Sequence, residues 1–355
     1  MSLFVSVVAI AGAFLLLIAP HEAGHFLLAK LFKVRVIEFS IGAGPRLVSF
    51  TRGGTLYALR LLPILGYVRM SGMGADDFEE PNGFHSKAPW PRIAILLAGA
   101  AANFLVAILL VTGIGLTQLN SDPGKVLGVV AGSPAEAAGL QPDDSIRTVN
   151  GKPFSAPGML LDEEQATKGA PLVLGGVHSN GRQFTVTVTP NCTTSGTKLT
   201  CQIGVGLPRR LSTVGTAITD GVTFPYVAVG QIVSGLESVI SGQVKGGLLG
   251  PNGLTGPIGI ATITERSVNQ GLLSYIFFVA ILSVAVGFTN LLPIPALDGG
   301  WIVVALIEWL RRRPFDRKSE INVQRWGLAA LLALAAVISF LDIQRLATGT
   351  FPGSH

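Results

Sequence analysis

Charge is scarce in this sequence. Only 13% of its 355 residues are Asp, Glu, Lys or Arg, against about 25% in an ordinary soluble domain. That shortage, together with 49% hydrophobic residues, excludes a plain soluble globular protein and points to a membrane. Cysteine is scarcer still. The two present, Cys192 and Cys201, offer no CxxC or zinc-finger spacing. They stand in a segment expected outside the cytoplasm, where a small disulfide loop and two free thiols in a surface hairpin are both open. No Lys or Arg precedes Lys30. The first apolar run therefore lacks the basic start of a signal peptide and reads as a retained span. No internal repeat is evident, which argues against a metal transporter built from two halves.

Long uncharged runs take the place of the missing charge. They cover Leu3–Pro20, Ile93–Leu119, Gly271–Leu297 and Trp326–Phe340, and the pattern predicts four membrane spans. The net charge of +5 is unevenly spread. Lys30, Lys33 and Arg35 follow the first run, Lys87 and Arg92 precede the second, and Arg311, Arg312, Arg313, Arg317 and Lys318 precede the last. Basic residues in loops at membrane ends mark the cytoplasmic side. The partner they imply is the lipid bilayer, not nucleic acid, and both termini are expected outside.

Between the first two runs, Leu47–Thr51 and Thr55–Leu61 flank the turn Arg52-Gly53-Gly54, a hairpin signal. The second strand, with Ala58 midway, is expected to be a free edge on which an extended substrate pairs. The stretch between the second and third runs is too long for a loop and must hold a domain. Strands are expected at Val126–Val130, Ile146–Val149, Leu172–Gly175 and Phe184–Val188, with a short helix at Pro134–Ala138 and a tight turn at Asn180-Gly181. Residues 211–270 are Gly-rich and amphipathic and are expected on the membrane surface. His85, His178 and His355 read as surface or loop residues.

The chemistry gathers around His21-Glu22-Ala23-Gly24-His25. On a helix, residues four apart share a face, so both imidazoles can reach one metal ion and Glu22 lies beside it as a general base. The motif continues directly from an apolar span, where ionisable residues are expensive and usually functional. A hydrolytic zinc site wants three protein ligands and an open position. Asp298, closing Asn290-Leu-Leu-Pro-Ile-Pro-Ala-Leu-Asp298-Gly-Gly300, is the best candidate for the third. Pro293 and Pro295 break a helix there, and such breaks at membrane depth are tolerated where they line a cavity. The bland alternative is an ordinary helix end with an Asp cap. Asn290 is a candidate donor to a substrate carbonyl.

HEAGH near the start and NLLPIPALDGG in a late span resemble the site-2 protease family of intramembrane zinc metalloproteases. Phe39-Ser-Ile-Gly-Ala-Gly-Pro45, Leu62-Pro-Ile-Leu-Gly-Tyr-Val-Arg-Met70, Ala98-Gly99 with Asn103, and Gly256-Pro-Ile-Gly-Ile260 are similar to further family stretches. Ala100 and Leu65 depart from it, standing where a proline and a glycine are usual. Gly132-Ser-Pro-Ala-Glu-Ala-Ala-Gly-Leu140, Asp144-Ser-Ile and Val149-Asn-Gly151 resemble a single protease-type PDZ module, with Asp143 in place of a usual glycine. That module either docks a peptide as an added strand or simply filters out large ectodomains.

The resemblance implies a polytopic α-helical membrane protein with four transmembrane helices, a membrane-associated β-hairpin and an inserted α+β PDZ domain. The implied division is 1–119 for the first two spans, 120–208 for an extracytoplasmic PDZ domain, 209–270 for an amphipathic juxtamembrane region and 271–355 for the last two spans. It further implies zinc (Zn2+) on His21, His25 and Asp298, catalysis by Glu22 and substrate contact by Asn290. Implied substrates are single-pass membrane proteins such as anti-sigma factors, first cut by an upstream site-1 protease. The implied setting is a bacterial plasma (inner) membrane, with the active site near its cytoplasmic side.

Overall fold

The computed structural model describes residues 3–74, 80–119, 122–130, 132–156, 158–195, 198–207, 213–242, 247, 250 and 253–349. The boundaries expected at 120 and 208, and His355, lie outside the described residues. In chain order the helices are α1 (Leu3–Leu31), α2 (Pro89–Thr117), α3 (Pro134–Ala137), α4 (Met159–Thr167), α5 (Val214–Ile240), α6 (Pro257–Asn269), α7 (Leu272–Asn290), α8 (Asp298–Arg311) and α9 (Arg317–Ala347). The strands are β1 (Val36–Arg52), β2 (Thr55–Met70), β3 (Gly128–Val129), β4 (Ser145–Val149), β5 (Lys152–Pro153), β6 (Leu172–Val177), β7 (Gln183–Val188), β8 (Asn191–Ser195), β9 (Lys198–Gln202) and β10 (Val205–Gly206). The chain divides into two units, residues 1–114 with 219–355, and residues 115–218.

In the first unit α1, α2, α7 and α9 are long and apolar enough to cross a membrane. Their ends differ from the apolar runs. The first helix does not stop at Pro20 but runs on to Leu31. A proline loses one helical hydrogen bond yet keeps a helical φ, so here it does not end the helix. The fourth helix starts at Arg317, well before Trp326, because Asp316 caps it by accepting the Ser319 N–H at 3.0 Å. Its first turns are charged, and hydropathy alone misses them. The third run holds one helix and a break: α7 ends at Asn290, 291–297 is irregular, and α8 begins just past the run at Asp298. The region 209–270 resolves into α5 and α6, and α5 packs Ala228 against Ala107, Ala280 and Val284. Where α1 crosses α2, a Cβ on Gly24 would collide with the Ala98 carbonyl. Small residues let helix backbones close up in this way without a hydrophobic drive between them. Ala100, the departure in α2, is buried in an unbroken helix.

The hairpin is longer and more folded than its turn signal implied. Strands β1 and β2 pair antiparallel about Gly53-Gly54, from Arg52↔Thr55 to Val48↔Leu59. Each then pairs a second time. Phe39 faces both Val68 and Tyr57, and Ser40 faces both Tyr67 and Ala58. From Glu38↔Leu56 to Ile41↔Leu59 the partner numbers rise together, so these inner segments run side by side in one direction. The result is four segments in the order 66–70, 36–41, 55–60, 46–52. Ala58 is therefore not on a free edge: it is buried between Ser40 and Ser49. The edges are 66–70 and 46–52. Arg60 ties the segments together, donating to Ser40 Oγ at 2.8 Å, Gly44 O at 2.7 Å, Glu38 Oε1 at 2.7 Å and the Tyr67 hydroxyl at 2.7 Å. Burial pushes the Glu38 carboxyl up, but Arg60, Tyr67 and Arg46 outweigh it and hold the group below its usual range.

The second unit carries a sheet in the order β5-β4-β6-β7, a β3–β10 pair and the β8–β9 hairpin. The expected strands appear, β3 shorter than expected, while α4, β5 and β8 to β10 were not anticipated. Ala135, Ile146, Val149, Leu172, Leu174 and Ile203 form its core. Asp143 adopts φ 69°, a conformation Asp tolerates better than most residues, so it meets the demand usually met by glycine there. His178 is no idle surface residue. Its Nδ1 lies 2.9 Å from the fully buried Asp144 carboxylate, which also accepts the Gln141 and Ser179 N–H groups. Cys192 and Cys201 face each other across β8–β9 and form a disulfide.

The Gly256-Pro-Ile-Gly-Ile260 stretch opens α6, and its role is visible at α9. The buried Asp342 carboxylate accepts the N–H groups of Gly256 at 2.8 Å and Gly259 at 2.9 Å. Arg345 donates to the carbonyls of Gly250 at 2.6 Å and Leu254 at 2.7 Å. Removing one member of such a buried charged network costs about 3–5 kcal/mol. Asp342→Ala is expected to lower the thermal midpoint sharply in detergent, and Asp342→Asn, which keeps an acceptor, to lower it less.

Candidate metal centre

Helix α1 sets His21 and His25 one turn apart on one face, about 15 and 9 Å before the helix end at Leu31. His25 Nε2 lies 3.2 Å from His21 Nε2. Asp298 Oδ2 lies 3.2 Å from His21 Nε2 and 3.3 Å from His25 Nε2. The three donors thus form a nearly equilateral triangle. Donors about 2.0–2.1 Å from a tetrahedral zinc ion stand roughly 3.3 Å apart, so the triangle has the size of one face of such a shell. The His25 Nδ1 lies 2.8 Å from the Ile95 carbonyl. Donating there, it leaves Nε2 with a free lone pair, the outer support typical of a metal-bound imidazole. Two imidazoles and one carboxylate, with a fourth position left over, fit catalytic zinc.

Asp298 arrives from a different part of the chain, and the break between α7 and α8 delivers it. Pro293 and Pro295 stop α7, and the freed backbone finds partners. Leu292 N–H donates to Thr289 O at 3.0 Å, Leu297 N–H to Ile294 O at 3.2 Å, and Ala296 N–H to the Gln324 side chain of α9. Asp298 then opens α8, where the helix dipole favours a carboxylate. It is not a mere cap: Leu297 holds the cap position, and Oδ2 of Asp298 faces the imidazoles. A Cβ on Gly299 would collide with the carbonyls of Leu291 and Leu292, so the break can fold tightly only with glycine there.

Glu22 and Asn290 line the same cavity as His21, His25 and Asp298, a space of about 720 Å³. Leu65, Gly66, Tyr67 and Val68 form part of the same wall. The sheet segment beside the site is thus 66–70, not the 55–61 strand expected from sequence. His85 stays outside the cavity lining, half-buried against Phe84 and Trp301. The residue missed by sequence reasoning is Gly99 of α2. A Cβ there would run into the imidazoles of His25 and His21. The stretch Ala98-Gly99 is the only local signal for it. Gly99→Ala is expected to lose most bound zinc, measured by metal analysis of the purified protein, while the circular-dichroism spectrum stays helical.

Residues 9–334 match the model of peptidase family M50. The chain is 30% identical to the zinc metalloprotease RasP of Geobacillus kaustophilus, aligned over 96% of this chain and 97% of that protein. It is 28% identical to the zinc metalloprotease RasP of Bacillus licheniformis over 96% of this chain and 99% of that protein. It is also 28% identical to the regulator of sigma-W protease RasP of Bacillus subtilis, with the same coverage of 96% and 99%. The expected cofactor is accordingly zinc. A match that spans most of the chain, joined to a two-histidine helix face and a carboxylate, identifies the chain as a zinc metalloprotease of peptidase family M50, the site-2 protease family.

Proposed function

We propose that this protein cuts single-pass membrane proteins within or at the edge of their spans, using Glu22 as the general base beside zinc held by His21, His25 and Asp298. The observation that carries this reading is the convergence of those three donors with Glu22 and Asn290 on one cavity, in a chain with four apolar helices. Bound there, zinc supplies a Lewis acid that acidifies water and polarises a carbonyl. Glu22 takes the proton of the attacking water and passes it to the leaving amide nitrogen. Asn290 donates to the substrate carbonyl oxygen as negative charge develops on it.

A helical substrate hides its peptide bonds and must be unwound first. The segment 66–70 supports a way to hold it. No other strand pairs with its outer side among the described residues, and it borders Glu22. An extended substrate added along this edge would present its backbone to the base. Exposed Leu47, Val48, Phe50, Leu61 and Leu62 on the same sheet suit contact with lipid. We place the loops rich in Lys and Arg on the cytoplasmic side, with the site near that face and residues 120–208 outside as a PDZ-type module. It works as a size filter. Peptide docking is favoured by one feature, a hollow of about 220 Å³ lined by Val130, Leu160, Leu161, Val205 and Leu207. Because the Bacillus subtilis relative is named as a regulator of sigma-W, anti-sigma factors trimmed by a site-1 protease in a bacterial plasma membrane are the substrates to try.

Purified protein mixed with a single-span reporter is expected to release fragments whose new ends map inside the span by mass spectrometry. Glu22→Gln is expected to bind zinc normally and to lose activity by at least about 100-fold. Fragments ending only outside the span, or an active Glu22→Gln, would defeat the reading. For the edge, a photo-crosslinking residue at Leu65 in the Glu22→Gln protein is expected to capture the reporter, while one at Val48, on the opposite edge, is not. Equal capture at both positions would count against strand addition at 66–70.

A further inference from the structure

We propose that the open hollow between the start of α2 and the α8–α9 turn binds the headgroup of an anionic phospholipid, gripping its phosphate with Arg312 and Arg313. The hollow has a volume of about 340 Å³, and Arg92, Glu308, Arg312 and Arg313 line it. Its charges do not balance. Glu308 is its one carboxylate, and that group is engaged. Oε2 accepts from Arg92 Nη1 at 2.5 Å, and Oε1 accepts the Phe315 N–H at 2.9 Å. The pair is almost sealed from solvent, with 3% and 5% of the two side chains exposed. Arg312 and Arg313 remain, both exposed and with no acidic partner among the described residues. Arg92 itself keeps Nε and Nη2 without an acceptor among the described residues.

Two further features select the occupant. Arg312 closes α8 at φ 54°, a left-handed position that favours glycine or asparagine. A strained residue kept in such a place points to a use for its side chain. The hollow also sits where spans end: Arg92 is in the first turn of one apolar helix, and Lys318 is in the first turn of another. Trp309, 62% exposed, lines it, and indole rings settle at the headgroup level of a bilayer. Leu310, 78% exposed, offers apolar surface to an acyl chain. Free phosphate shares the headgroup's charge but would leave that surface uncovered. Basic pockets between spans are a recurrent way to hold anionic headgroups.

The proposal does not depend on proteolysis, so its test is a binding measurement on the full-length, zinc-loaded protein in detergent. Labelled dioctanoyl phosphatidylglycerol is the probe, with dioctanoyl phosphatidylcholine and inorganic phosphate as competitors. Wild type is expected to bind one phosphatidylglycerol per chain saturably, and neither competitor is expected to displace it at equal concentration. The double substitution Arg312→Gln with Arg313→Gln is expected to weaken binding by roughly 30-fold. The pair Arg312→Lys with Arg313→Lys, which keeps both charges, is expected to retain most of it. Unchanged binding by the glutamine variant, or equal binding of phosphatidylcholine, overturns the proposal. Displacement by an equal concentration of phosphate overturns the lipid as the source.

Discussion

The Asp298 carboxylate held against two imidazoles from another helix is the contact on which the rest of this molecule depends. In the interior of a membrane protein a carboxylate is costly unless a positive charge answers it. At 3.2 and 3.3 Å from His21 and His25, Asp298 has that answer, among the described residues, through the imidazoles or a cation they share. Everything that brings α8 up to α1 therefore serves this one triangle. The two prolines end α7, Gln324 of α9 takes up a freed backbone N–H, and Gly299 lets the chain turn without colliding with Leu291 and Leu292.

Close approach is the second constraint, and it works through missing side chains. Gly24 and Gly99 face each other's helices where α1 crosses α2, and the same crossing sets His25 Nδ1 against the Ile95 carbonyl. Gly66 repeats the device between the sheet and α1, where a Cβ would press on Ile18. That contact brings Val68 onto the same cavity wall as Glu22. The proposed base, two of the three candidate metal donors and the candidate substrate edge are thus all indexed to one helix. A slip of α1 by one residue would turn the whole set away from the cavity, since each step rotates a helix by about 100°.

The parts legible from sequence are those in which local spacing dictates geometry. His21 and His25 four apart must share a helix face, and Pro293 with Pro295 must interrupt α7. Both expectations hold, and together they made Asp298 the natural third donor. Other features depend on contacts between distant residues. Gly99 carries no side chain to advertise a role. The Ile95 carbonyl is invisible to any pattern of residue types. The Arg52-Gly53-Gly54 turn announces one hairpin, but nothing near it reveals that β1 and β2 fold back and pair twice, which buries Ala58 and moves the edge to 66–70. Helix α1 outlasts Pro20 because a proline weakens a helix without always ending it. The polar start of α9 is hidden for the opposite reason, since charge conceals a helix from any search for apolar runs.

The most direct test of the account is zinc K-edge X-ray absorption on the metal-loaded protein and on Asp298→Cys. The account predicts imidazole scattering from two rings with light oxygen or nitrogen neighbours in the wild type, and a new sulfur neighbour at about 2.3 Å in the variant. A zinc-loaded Asp298→Cys protein whose spectrum shows no sulfur would remove Asp298 from the metal. The convergence of α1 and α8 would then need another cause.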